Sequence, residues 1–122
     1  MASILVIDDD DQLRSVLVRL FRPDHDVTTA SDGHEAVAKI RSGQRFDVIL
    51  SDVNMPRLDG IQVYWQLAEV APDQAQRMVF MSGGDFDDSN CLPGVADNPW
   101  LRKPFSPARV RDLIAGLLAL WE

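Results

Sequence analysis

The chain opens on Ser3-Ile4-Leu5-Val6-Ile7, an apolar run cut off by acids, which predicts a short strand buried on both faces. Leu13, Val16, Leu17, Leu20 and Phe21 then recur at helical spacing, with Asp10 or Asp11 available as N-cap and Pro23 closing the helix. Val27-Thr28-Thr29-Ala30 predicts a second, short strand. Ser31-Asp32-Gly33 opens a helix carrying Ala36, Val37 and Ile40, and Gly43 stands at its C-terminal end. Phe46 to Leu50 predicts a third strand that ends in polar Ser51-Asp52. The loop from Asn54 to Gly60 leads into a helix from about Ile61 to Val70, ended by Ala71-Pro72. Met78-Val79-Phe80-Met81 is a fourth strand running into Ser82-Gly83-Gly84, and a short strand at about Pro99 to Leu101 precedes Lys103-Pro104. Ser106 caps a last helix with Pro107 at its first position, where Val110, Leu113, Ile114, Leu117, Leu118 and Trp121 form one apolar stripe.

Strands that alternate with helices and are apolar on both sides imply an α/β fold, a parallel sheet covered by helices on both faces. In such doubly wound sheets, ligands bind at the carboxyl ends of the strands. One stretch breaks the alternation. Asp85 to Asn98 contains Pro93-Gly94 and a run of Asp, Ser and Asn without a helical stripe, so a fourth helix there is expected to be short, irregular or absent.

A length of 122 residues suits one domain over 1–122 and leaves little room for a second. The net charge of -7 argues against a nucleic-acid surface, which gathers Lys and Arg on one face. The single Cys91 forms no internal disulfide and offers no thiolate pair for zinc, in keeping with a reducing cytosol. No signal-peptide pattern and no apolar run approaching ~18 residues is present, so a cytoplasmic domain without membrane contact is expected.

The acids change the picture most. Asp8, Asp9, Asp10 and Asp11 are consecutive and follow the first strand directly. In a parallel sheet the first strand end supplies Asp8 and Asp9, the third Asp52, the fourth Ser82, and the fifth leads to Lys103. Three carboxylates brought together repel, which raises at least one pKa unless a cation joins them. Mg²⁺ suits such a site, with oxygen ligands and several retained waters. Asp9 and Asp52 would bind it directly, Asp8 through water, and the main-chain carbonyl of Asn54 would complete the protein ligands. The same arrangement fits phosphoryl transfer: Asp52 as nucleophile, with Mg²⁺, Lys103 and the Ser82 hydroxyl stabilising the phosphoryl oxygens. Taken singly, each residue has a plainer reading: helix-terminal acids for Asp10 and Asp11, a surface lysine for Lys103, a turn for Ser82-Gly83-Gly84. Trp65 and Trp121 read as packing, and His25 and His34 are given no role.

Ile4 to Asp10, Asp47 to Pro56 with Asp59-Gly60, Met81-Ser82-Gly83 and Lys103-Pro104-Phe105 together resemble the receiver domain of two-component response regulators, across essentially the whole chain. The resemblance implies strand order 2-1-3-4-5, a Lys-Pro bond that is often cis, Mg²⁺ dependence, and a phosphohistidine donor on a sensor histidine kinase or histidine phosphotransfer protein. It also implies that phosphorylation switches partner binding, with the downstream partner left open. Trp100 stands where the family has the Tyr or Phe that swings inward with the Ser or Thr, so Trp100 is read either as that switch or as packing. Residues 85–105 look more like receivers attached to hybrid sensor kinases. Asn54 and Gly84 are positions that would set the lifetime of the phosphoryl group. Ala115, Gly116 and Ala119 on the last helix form a small-residue face, either solvated or a homodimer contact. Two other functions stay open: a haloacid-dehalogenase-like phosphatase with Asp8 as nucleophile, and a receiver fold kept as a docking scaffold.

Overall fold

The computed structural model describes residues 2–55, 58–83 and 98–121. Five strands, β1 (Ser3–Ile7), β2 (Asp26–Ala30), β3 (Val48–Asp52), β4 (Met78–Ser82) and β5 (Trp100–Arg102), form one sheet in the order β2-β1-β3-β4-β5, all neighbours parallel. Helices α1 (Asp11–Phe21), α2 (Gly33–Arg41), α3 (Gly60–Val70), α4 (Pro72–Ala75) and α5 (Pro107–Leu120) join or follow them. The strand order is the one implied by the resemblance.

Each strand divides its side chains between two cores, as a pleat must. Leu5, Ile7, Ile49 and Phe80 face α2 and α3, where Ala36, Val37, Ile40, Val63 and Leu67 meet them. Ile4, Val6, Val48, Leu50, Val79 and Met81 face the other way, against Leu17 and Phe21 of α1 and Val110 and Ile114 of α5. All of the named strand residues are fully buried, which is why their sequence shows no alternation.

Local chemistry sets the helix limits. Asp10, not Asp11, is the N-cap of α1, and its carboxylate accepts from the N–H groups of Gln12 and Leu13. Asp32, Asp59 and Ser106 cap α2, α3 and α5 in the same way. Gly43 follows α2 with φ of 108°, a conformation that L residues with a side chain rarely adopt.

Two regions differ from the sequence expectation. The third strand begins at Val48, two residues later than the apolar run suggests, because Phe46 is held by a side chain. Its N–H donates to Gln74 Oε1 at 2.8 Å and its carbonyl accepts from Gln74 Nε2 at 3.1 Å. The second difference explains the first. Pro72 does end α3, but it also begins the short helix α4, and α4 is what carries the buried Gln74. Asn98 fastens the same corner, donating from Nδ2 to the carbonyls of Ala75 and Met78. The irregular fourth helix expected before β5 falls on residues 84–97, outside the described residues, apart from this buried Asn98.

Replacing Gln74 by Leu leaves the N–H and carbonyl of Phe46 without these partners while keeping the volume filled. Urea unfolding should show a loss of about 2 kcal/mol for Gln74→Leu, within the usual penalty for orphaned buried polar groups. An unchanged midpoint would mean that Phe46 does not depend on this pairing.

Candidate functional site

Parallel strands deliver their carboxyl ends to one edge, and there β1, β3, β4 and β5 present their polar residues. Asp8, one residue past β1, is completely buried; Asp52, the last residue of β3, is 4% exposed; Asp9 is exposed at the mouth. One carboxylate oxygen from each of the three lies within 4.8 Å of the others. Lys103, just beyond β5, reaches in from the opposite side: its Nζ stands 3.3 Å from Asp52 Oδ1 and 3.9 Å from Asp8 Oδ2. Its main chain is tied to β4 by the Lys103 N–H, which donates to the Ser82 carbonyl at 2.7 Å; the Lys103-Pro104 bond that follows is cis. Ser82 ends β4, buried, in register with Arg102.

Asp52 is held closely. Its Oδ1 accepts from the Asn54 N–H at 3.3 Å as well as facing Lys103. Just past it, the Val53 carbonyl accepts from the Gly60 N–H at 3.2 Å. A Cβ on Gly60 would sit 2.6 Å from the Asp52 carbonyl oxygen, so only glycine fits there. Asn54 itself is exposed at the rim.

Asp8 carries the sharper electrostatic problem. Its Oδ1 accepts from the Asp10 N–H at 2.8 Å, whereas Oδ2 is buried with no hydrogen-bond partner among the described residues. Burial pushes the Asp8 carboxyl up from 3.8 to about 6; the Asp10 N–H and Lys103 pull it back, and the charges of Asp52 and Asp9 add to the rise. Asp52 also rises, again through burial first, with Lys103 opposing it most. Repulsion among the carboxylates, the cause expected from the sequence, is therefore the smaller contribution. A buried carboxylate oxygen without a donor, beside two further carboxylates, is what a hard divalent cation satisfies. The residues fit such an ion.

The chain matches the family model described as the response regulator receiver domain over residues 4–115. It belongs to that family. Receivers of this family are the phosphoacceptor modules of two-component signal transduction rather than enzymes in the ordinary sense. Among curated proteins, this receiver is 37% identical over 116 residues to the alkaline phosphatase synthesis transcriptional regulatory protein PhoP of Bacillus subtilis, covering 94% of this chain and 48% of that protein. It is 34% identical over 121 residues to the transcriptional regulatory protein CpxR homolog of Haemophilus influenzae, covering 98% of this chain and 50% of that one. The chain thus spans about half the length of these relatives. Among solved structures, the receiver domain of Francisella response regulator 1452 superposes with a TM-score of 0.83 at 28% identity, covering 100% of both chains. Chemotaxis protein CheY4 of Vibrio cholerae does so with 0.80 at 30% identity, covering 96% of this chain and 98% of that one.

The structure brings together Asp8, Asp9, Asp52 and Lys103, as the sequence reading required, with Ser82 and Asn54 on the adjoining strand end and loop. Trp100 lies one step back, half-buried, its ring 4.8 Å from that of Phe80. Trp65, read as packing, is 39% exposed and touches Tyr64 edge-on. Trp121 is packed against the α1/α5 core beneath the Arg77 guanidinium, 5.5 Å from its ring centre. The sequence reading missed Arg14, whose guanidinium donates from Nη1 to the Asp8 carbonyl at 2.7 Å and pairs with Asp11. Only the three-residue spacing of Asp11 and Arg14 on α1 hinted at it. Among the described residues, no helix is long and apolar enough to cross a membrane.

The raised pKa of Asp8 has a definite consequence for stability. Between 3.8 and about 6 the folded chain keeps a proton on Asp8 that the unfolded chain has released. Stability from this group is therefore present at low pH and lost as pH rises through that window. A shift of this size corresponds to ~3 kcal/mol. In the presence of a chelator, urea unfolding of the wild type should lose up to that much more stability than Asp8→Asn as pH rises from about 4 to about 7. Parallel pH profiles for the two proteins would contradict the assignment.

Proposed function

We propose that Asp52 is the residue phosphorylated in this receiver, taking the phosphoryl group from a phosphohistidine of a sensor histidine kinase or a histidine phosphotransfer protein. The observation that carries this reading is the contact of Lys103 Nζ with Asp52 Oδ1 at 3.3 Å, inside a pocket whose other acids are Asp8 and Asp9. Asp52 alone of the three is both buried and directly faced by an ammonium at hydrogen-bonding distance. Its carboxylate would form a bond to phosphorus as the phosphorus–nitrogen bond of the donor breaks, the imidazole leaving with a proton from solvent.

Asp8, Asp9, Asp52 and the Asn54 carbonyl are the residues that would hold Mg²⁺. When bound, Mg²⁺ supplies charge neutralisation for the transferring phosphoryl oxygens. Lys103 adds a second, fixed positive charge from the β5 side, and the buried Ser82 hydroxyl offers a hydrogen bond to the product phosphoryl group. Phosphorylation replaces the single carboxylate charge of Asp52 with an acyl phosphate carrying roughly one and a half to two negative charges. Lys103 and Ser82 are the groups positioned to respond, and Trp100, packed on Phe80 two residues before Ser82, is the side chain through which that response would reach the β5–α5 face. The module works in the cytoplasm, where phosphohistidine donors are made.

Incubation with Mg²⁺ and acetyl phosphate, followed by mass spectrometry of peptides, should place one phosphoryl group on Asp52. Asp52→Asn should abolish it. Modification at Asp8 would instead favour the phosphatase reading, and no modification at all the scaffold.

A further inference from the structure

Asp8 has four polar atoms, and three of them are committed. Its N–H donates to the Ala30 carbonyl at 3.2 Å, its carbonyl accepts from Arg14 Nη1 at 2.7 Å, and its Oδ1 accepts from the Asp10 N–H at 2.8 Å. Among the described residues only Oδ2 remains without a hydrogen-bond partner, buried and near Asp52 and Lys103. The contact from Ala30 comes through the sheet and that from Asp10 through the tight turn. The contact from Arg14 has neither origin. It is a side chain from the first turn of α1 reaching back across the loop.

We infer that Arg14 is a positioning residue for cation binding: by donating to the Asp8 carbonyl it fixes the Asp8–Asp9 peptide, and so fixes both carboxylates in the pocket. The inference rests on the reading that the Asp8, Asp9 and Asp52 cluster holds Mg²⁺. Asp9 hangs on this peptide and is exposed. If the peptide plane turns, Asp9 swings away and Oδ2 of Asp8 loses its aim. Arg14 is suited to the task because its planar fork makes two contacts at once, one to the Asp8 carbonyl and one to the Asp11 carboxylate. The second contact matters electrostatically. A bare guanidinium next to the pocket would repel a cation, whereas the paired Asp11 offsets that charge and leaves the hydrogen bond in place.

Two opposed effects of Arg14 therefore make opposite demands. As a positive charge near the site, Arg14 weakens Mg²⁺ binding, and its removal should tighten it. As a brace on the ligand loop, Arg14 strengthens binding, and its removal should weaken it. Groups that orient metal ligands commonly change affinity by tenfold or more when lost. Because Arg14 holds main chain rather than a ligand atom, a smaller loss of roughly three- to tenfold is expected.

Calorimetric titration of Mg²⁺ into wild type, Arg14→Met and Arg14→Lys, with Asp9→Asn as control, reads this directly. Arg14→Met should bind more weakly than wild type, and Arg14→Lys, which keeps the charge but not the fork, should also fall below wild type. Amide hydrogen exchange without metal should be faster at Asp9 and Asp10 in both variants, while the β3 and β4 amides keep their protection. Equal or tighter binding by Arg14→Met would overturn the inference and leave the metal site intact. A general loss of protection with unchanged affinity of the folded fraction would also overturn it, as a purely structural role. Absence of binding by the wild type would overturn the metal reading and this inference with it.

Discussion

Everything at this sheet edge follows from one unfavourable arrangement: a carboxylate oxygen of Asp8 buried without a donor among the described residues, beside the carboxylates of Asp9 and Asp52. Hydrophobic burial imposes it. The five strands are packed on both faces, so the strand ends that carry the acids are drawn below the surface with them. Lys103 relieves part of the cost, but it faces Asp52 at 3.3 Å and Asp8 only at 3.9 Å. The remainder is available for a cation. The pocket is a site kept electrostatically incomplete by the fold, and phosphoryl transfer uses the same incompleteness.

The surroundings serve to keep that arrangement from relaxing. Asp10 divides its role between capping α1 and donating its N–H to Asp8. Gly60 lets the start of α3 lie close against the Asp52 carbonyl. Lys103 is placed by a hydrogen bond from its own backbone to Ser82, which ties β5 to β4 at the level of the pocket. At the far end of the sheet, Gln74 and Asn98 stitch α4 to the start of β3 and β4, so the strands are fixed at both ends.

Much of this was legible in the chain. The apolar runs ending in Asp8, Asp52 and Ser82 identified three strands and their chemistry together, because only strands buried on both sides read as continuous apolar runs. The receiver motifs added Lys103 and the strand order, which periodicity alone does not supply. Less accessible were features made by long-range pairing. Nothing around Phe46 tells that Gln74, 28 residues on, replaces its first ladder bonds. Nothing around Asp8 tells that Arg14 reaches its carbonyl, since a side chain bonding to main chain leaves no pattern in residue type. The run Asp8 to Asp11 looks uniform in sequence, yet its four members become a buried pocket acid, an exposed pocket acid, a helix cap and an arginine partner.

The claim most open to test is that one cation joins the carboxylates of β1 and β3. Substituting Mn²⁺, whose unpaired electrons broaden nearby NMR signals, maps the ion without any phosphoryl chemistry. At low Mn²⁺ the amide signals of residues 8–10, 52–54 and 103 should broaden first and together, and excess Mg²⁺ should restore them. Broadening spread over exposed acids such as Asp24, Asp26 and Asp73, with the strand ends untouched, would show that the fold gathers these acids without binding a metal there.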